Sequence, residues 1–355
     1  MFDFRQQLEH TKKYADAFWK HEMLDRPYVS VRAPIVTSDF SFTPAESFRA
    51  CMSGEYDRAL NGMLSHMEKT YYGGEALPVL ELTLGPDQYA GFLGAKIETN
   101  REMFTTWSVP CVEDWADFNV AIDRSENGYF HKLKQFFAYA SAFCKDKFLL
   151  NTLDLHSNMD ALSALRGPMD LCYDLMDCPE EVLRVVNDVR KTYNEIYNLA
   201  YETGKMREIG TTGWIPVYCE GRSAVLQCDF SCMMSPEQGR KFVFPAIEEE
   251  AASHDHCVYH LDGKEALVHL DTILSIKEID CIEWVPGAGA PKSYDWMDLL
   301  KKIQAAGKSV WVDDWTVEDV KRYHKELQPD KVGYLVWASN PAEADELLEY
   351  LVKNT

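Results

Sequence analysis

The sequence predicts an α/β protein: a (β/α)8 TIM barrel with N-terminal helical additions, built by the whole chain, 1–355, as one domain. Three observations predict it. The second half alternates between short β-type runs and amphipathic helical runs, the pattern of a parallel sheet made of βα units. Four or five such units fit in about 130 residues, close to the repeat length of an eightfold barrel. The β-type runs also end repeatedly in polar residues, and barrels of this kind carry their functional groups at the C-terminal ends of strands.

Tyr28 to Ala33 reads as the first strand, and Thr43-Pro44-Ala45-Glu46 opens a helix by capping logic. Residues 1–27 and roughly 43–135 are less periodic and are expected as additions around the barrel. Lys147 to Leu153 reads as a strand, Pro179 to Tyr201 as one long helix, and Val217 with its neighbours as a further strand. Ala224 to Cys228 is strand-like. Ser235-Pro236-Glu237-Gln238 then supplies an N-cap, a proline at the first helical position and a capping-box glutamine for a helix to about Ser253. Next come a strand ending His260-Leu261-Asp262-Gly263, a helix over Val268 to Ile276, and the strand Cys281 to Val285. A helix capped by Ser293 stops at Gly307. Lys308 to Asp313 is a strand before a helix capped by Thr316, and Val332 to Trp337 is the last strand, before a helix capped by Asn340-Pro341. No GxGxxG follows the first strand, which argues against a dinucleotide-binding open sheet.

Composition narrows the function. With 36 Lys+Arg against 57 Asp+Glu the formal charge is −21, and no basic block occurs, so a nucleic-acid partner and an anionic membrane surface are not expected. Apolar runs such as Phe148 to Leu150 fall far short of the roughly 20 residues that span a bilayer. The charged N-terminus MFDFRQQLEHTKK lacks a signal-peptide core, and a cytoplasmic location is expected. Ten scattered cysteines without a CxxC pair read as reduced and mostly buried.

The strand ends hold the candidate chemistry. Asp154 and His156 follow one strand, His260 and Asp262 end another, and Glu283 with Trp284 ends the next. Asp313, Asp314 and Trp315 end the strand after that. Side chains in a strand alternate, so His260 and Asp262 share a face. Imidazole and carboxylate are zinc ligands or acid/base groups, although an Asp-Gly turn after a strand has the same spelling. A zinc site needs three or four ligands, and Cys219 and Glu220 are the candidates to join His260. Asp229 interrupts another apolar run and reads as a substrate-binding or turn-capping carboxylate. The Met233-Met234 and Tyr71-Tyr72 pairs read as packing.

The order of several strings resembles the uroporphyrinogen decarboxylase superfamily, which also contains cobalamin-dependent methyltransferases. They are Asp25-Arg26-Pro27-Tyr28-Val29, Tyr72-Gly73-Gly74-Glu75, Leu165-Arg166-Gly167-Pro168, Gln227-Cys228-Asp229-Phe230, Met234-Ser235-Pro236-Glu237 and His260-Leu261-Asp262-Gly263. The resemblance spans most of the chain and implies the barrel. Its decarboxylase branch uses an RQAGRY-type segment, which this sequence lacks. Its methyltransferase branch places zinc on a His-x-Cys strand end and a later cysteine. His260 matches the histidine, Asp262 stands in the cysteine's place, and Leu335 to Ser339 offers no cysteine.

What the resemblance implies is a methyltransferase that moves a methyl group from a small methoxy or methylamine compound to a separate corrinoid protein. Uroporphyrinogen decarboxylase and a non-catalytic small-molecule-binding barrel are the alternatives. Asp262, Glu283 and Asp229 are then the catalytic candidates, and Asp154, His156, Trp284, Asp313 and Trp315 the substrate-binding ones. His260, Cys219 and Glu220 are the zinc candidates. The expected partners are the small-molecule substrate, the corrinoid protein that carries the cofactor and, as an assembly, a homodimer.

Overall fold

A computed structural model describes residues 2–37, 40, 42–100 and 104–355. Met1 and residues 101–103, which fall within the expected additions, lie outside the described residues. Strands β1 (Tyr28–Pro34), β2 (Thr70–Gly74), β3 (Val79–Leu80), β4 (Lys96–Glu98), β5 (Trp107–Val109), β6 (Leu149–Leu150), β7 (Ser223–Leu226), β8 (His256–Asp262), β9 (Cys281–Val285), β10 (Ser309–Val312) and β11 (Val332–Trp337) form three sheets.

The protein is α/β, with a mostly parallel central sheet. The large sheet runs β2-β1-β11-β10-β9-β8-β7, and only β2 is antiparallel to its neighbour. β3 and β6 form a separate parallel pair, and β4 and β5 an antiparallel one. Beyond β6, the Thr152 N–H donates to the Thr212 carbonyl at 2.7 Å, which ties this pair towards the segment that leads into β7.

Both faces of the parallel sheet are buried, as expected where helices return between parallel strands. One face carries Val29, Val31, Tyr259, Leu261, Ile282, Trp284, Val310 and Val312 into the larger core under the helices. Tyr28, Val225, Val258, Cys281 and Trp311 alternate with them and form a second core, closed by Phe4, Ala15, Phe18 and Trp19 of the helix Phe4–Trp19. On that second face the side chains change character along the strands. Val258 is followed by His260 and Asp262, Cys281 by Glu283, and Trp311 by Asp313, so an apolar floor leads to an ionisable rim.

The strings Asp25–Val29 and Tyr72–Glu75 meet at one buried ion pair. Glu75 accepts two guanidinium N–H groups of Arg26, both at 2.8 Å, and the Val29 N–H at 2.7 Å. This anchors the start of β1 beside the end of β2.

Several elements differ from their sequence reading. The long helix is two, Pro179–Arg190 and Tyr193–Thr203, because the Thr192 hydroxyl bonds back to the Val189 carbonyl at 2.8 Å and interrupts the turn. The Ser235 capping box is present, but the helix behind it widens over Gly239–Val243 before Phe244–Ala251, where Pro245 removes an N–H. Val217 is not in a strand. The chain beside Pro216 is irregular and joins its neighbour only at the Thr211–Cys219 bridge. Ser293 turns to Asp314 instead of capping, and its helix begins with a tight turn over Ser293–Trp296. Among the described residues, no helix is long and apolar enough to cross a membrane.

Candidate active site

The register of three adjacent parallel strands places the first group of ionisable residues. His260 of β8 stands opposite Glu283 of β9, and Glu283 opposite Trp311 of β10, so Asp313 follows two residues on along the same face. His260 Nδ1 is bonded to Glu283 Oε2. Glu283 is buried. Burial by itself pulls the His260 imidazole down, yet Glu283, then Asp229 and Asp262, outweigh it and raise its pKa above the ordinary value. Burial and then the neighbouring Glu283, to which it is hydrogen-bonded, push the Asp313 carboxyl up to about 8. The edge of Trp214 lies against the other side of His260, ring centroids 5.0 Å apart.

A second histidine faces the same space. His156 sits just beyond β6, with Nε2 3.4 Å from Asp154 Oδ2 and Nδ1 3.5 Å from Asp160 Oδ2 and 3.8 Å from Asp229 Oδ2. Burial opposes its charge, but Asp154 and Asp160 more than offset that and raise its pKa well above the ordinary value. Asp154 is lowered in turn. Burial would raise it, and His156 together with a 2.7 Å hydrogen bond from Gln227 Nε2 wins. Burial, and then the repulsion of Asp160, push Asp229 up to about 6. Asp160 takes the backbone N–H groups of Asp229 at 3.0 Å and Phe230 at 2.8 Å, which locks the start of β7's following turn to the helix Asn158–Arg166. Glu81, just past β3, is pushed up to about 7 by burial and then by Asp154.

His156, Asp160 and Asp229 form one set of donor atoms within 4.8 Å of one another, and Asp229, His260 and Asp262 form another. The first set opens on a cavity of about 430 Å³ lined by Pro86, Asp87, Ser108, His156, Asp160 and Asp229 among others, and Asp229 links that cavity to the second set.

The structure therefore brings together Asp154, His156, Asp229, His260, Asp262, Glu283 and Asp313. It does not bring Cys219 and Glu220 to His260. Cys219 is tied to Thr211 and lies with Glu220, Trp19 and His256 around a small cavity at the start of β8. His260 is four residues further along that strand, about 13 Å at the rise of a β-strand. Burial pushes the Cys219 thiol up to about 11, and Glu220 is exposed, 3.8 Å from Lys12. The zinc set His260, Cys219 and Glu220 is thus corrected: the donors beside His260 are Asp229 and Asp262.

Trp284 and Trp315 are also elsewhere. Trp284 alternates with Glu283 and so faces the helix layer, against Trp296. Trp315 is buried with Tyr294, Tyr323 and Tyr334, and its indole N–H donates to Ser293 Oγ at 2.8 Å.

Asp160, Glu81, Trp214 and Arg32 were not read from the sequence, and Gln227 was read only as part of a string and not as a site residue. Asp160 carries a local signal, four residues after His156 and so one helical turn away. Arg32 shares the inward face with Tyr28, near the end of β1 under Trp337, 5.6 Å from its ring. Its Nε is buried without an acceptor and, among the described residues, no carboxylate pairs with it. Burial lowers its pKa.

No protein-family model matches this sequence, and no curated protein matches it either. Among solved structures, the chain is similar to a methyltransferase from Methanosarcina mazei, at 13% identity and a TM-score of 0.63, over 97% of this chain and 98% of that one. At that identity the likeness is one of fold, and it runs from end to end.

Proposed function

We propose that this protein is a methyltransferase that moves a methyl group from a small methoxy or methylamine compound to a corrinoid carried by a separate protein. The parallel run β1, β11, β10, β9, β8, β7 and the separate parallel pair β3 and β6 make eight strands, which are read as a closed (β/α)8 barrel with the site at its mouth. The observation that carries the reading is the His260–Glu283 pair beside Asp229 and Asp262, on the rim of a fold shared end to end with a methyltransferase.

The residues suit zinc. Glu283 occupies His260 Nδ1 and leaves the other ring nitrogen for a metal, while Asp229 and Asp262 add carboxylate oxygens and Asp229 Oδ1 is buried without a donor. These three residues would hold a zinc ion, which would supply Lewis acidity to the heteroatom that loses its methyl group. Glu283 orients the imidazole. Asp313 is hydrogen-bonded to Glu283 and so helps hold that side chain against His260. Trp214 shields one side of the ring from water. The adjoining cavity of about 430 Å³, reached through Asp229, suits a small methylated compound.

The test supplies the purified protein with zinc, chemically reduced cob(I)alamin as a free acceptor, and a panel of methylamines and methoxybenzoates. The expected result is the absorption change of alkylated cobalamin and a demethylated product by mass spectrometry with at least one donor, lost in His260→Ala. No methyl transfer from any donor, with zinc bound, would sink the reading.

A further inference from the structure

We propose that the mouth holds a second divalent metal ion, ligated by His156, Asp160 and Asp229, so that Asp229 is shared between two ions. The proposal rests on the reading of His260, Asp229 and Asp262 as the first site.

The spacing of the donors is close to that of metal ligands. His156 Nδ1 is 3.5 Å from Asp160 Oδ2 and 3.8 Å from Asp229 Oδ2. Ligand atoms at about 2.0–2.1 Å from a tetrahedral zinc stand about 3.3 Å apart, so both His156 pairs lie within about half an ångström of ligand spacing, and all three donors lie within 4.8 Å of one another. Both histidines are held from behind. Asp154 faces Nε2 of His156 and Glu283 binds Nδ1 of His260, and neither carboxylate belongs to its histidine's donor set. A carboxylate on the far nitrogen fixes the tautomer and aims the near nitrogen, as in metal sites generally.

Asp229 has the geometry of a bridge. Its Oδ2 faces His156, and its Oδ1 is buried without any hydrogen-bond donor. A carboxylate oxygen in that state costs free energy unless a cation or proton meets it. Asp160 has its position fixed by the Phe230 N–H and the Cys228 thiol on Oδ1 and by the Asp229 N–H on Oδ2, which leaves a further lone pair on Oδ2, the oxygen that faces His156. Finally, Asp154, Asp160, Asp229, Asp262 and Glu283 gather five carboxylates around two imidazoles. Nitrogen and oxygen donors of this kind suit zinc, manganese or cobalt, and paired ions that share a carboxylate commonly sit about 3.5–4 Å apart.

The experiment strips the protein with chelator, loads it with zinc, removes free metal by gel filtration and counts ions per chain by plasma mass spectrometry. Manganese-loaded protein is read in parallel by electron paramagnetic resonance. Two zinc ions per chain are expected, falling to one in His156→Gln and to one in His260→Gln, with Asp229→Asn weakening both at least tenfold. A spin-coupled manganese pair is expected in the unaltered chain, which keeps the test valid if a variant fails to fold. One ion per chain, lost in His260→Gln and kept in His156→Gln, overturns the second site and leaves the first intact; the His156 imidazolium is then the cation of that pocket. Isolated manganese signals at full loading overturn the shared carboxylate. No ion in any form overturns both sites.

Discussion

Replacing Glu250 by glutamine should stabilise the protein in a way that depends on pH. Glu250 lies in the helix Phe244–Ala251 and is 3% exposed, and its Oε1 accepts the Ser157 hydroxyl at 2.6 Å, next to His156. Burial is the largest influence on its carboxyl, which is pushed up from 4.5 to about 8. The folded chain therefore binds this proton more tightly than the unfolded one. Stability contributed by the protonated form is complete below pH 4.5 and is lost as pH rises through about 8. At about 1.4 kcal/mol per pH unit, the interval from 4.5 to about 8 is worth about 5 kcal/mol. Glutamine keeps the shape and a partner for Ser157 and cannot ionise. Glu250→Gln should match the parent chain within about 1 kcal/mol at pH 5 and exceed it by about 4 kcal/mol at pH 9. Urea denaturation at pH 5, 7 and 9 reads this directly from the midpoints. Midpoint differences that do not change with pH would refute the reasoning, because an ionising buried carboxyl is the only source of the slope.

Arg32 lacks a carboxylate partner among the described residues and has a buried, unpaired Nε, so Arg32→Met should raise stability by about 1–3 kcal/mol; a lower melting temperature would contradict this. Glu283→Gln removes the anion behind His260 and should weaken zinc binding about 10- to 100-fold, read by calorimetric titration, with a folded chain by circular dichroism. His324 is buried between the Tyr334 hydroxyl at 3.1 Å and the Thr355 hydroxyl at 2.8 Å, and burial lowers it from 6.5 to about 4. Its neutral form contributes stability that is complete above pH 6.5 and lost as pH falls through about 4, up to about 3 kcal/mol, and His324→Gln should flatten that acid slope in denaturant melts. Glu75→Ala leaves Arg26 buried and unpaired and should cost about 3–5 kcal/mol, measured at neutral pH; a loss under 1 kcal/mol would show that the pair is solvated.

Much of this protein is determined locally by its sequence. The capping box at Ser235, the Asn340 cap that accepts the Glu343 N–H, and the left-handed Gly307 after the helix Met297–Ala305 are decided within a few residues. So is the shared face of His260 and Asp262, because a strand repeats every two residues. The same alternation separates Glu283 from Trp284, and it sends the tryptophan to the helix layer. What the sequence alone did not decide is which distant segments meet. Cys219 and His256 share one end of β8 and His260 the other, a distinction that depends on where the irregular chain after Pro216 runs. Asp160 reaches Asp229 across 69 residues, through backbone N–H groups that no side-chain pattern records. Trp214 comes to His260 from a segment without regular structure. Backbone geometry and hydrophobic period are short-range and can be read along the chain. The pairing of carboxylates with imidazoles acts through space, and only the packed tertiary structure, by excluding water from His156 and His260, decided which charges they face.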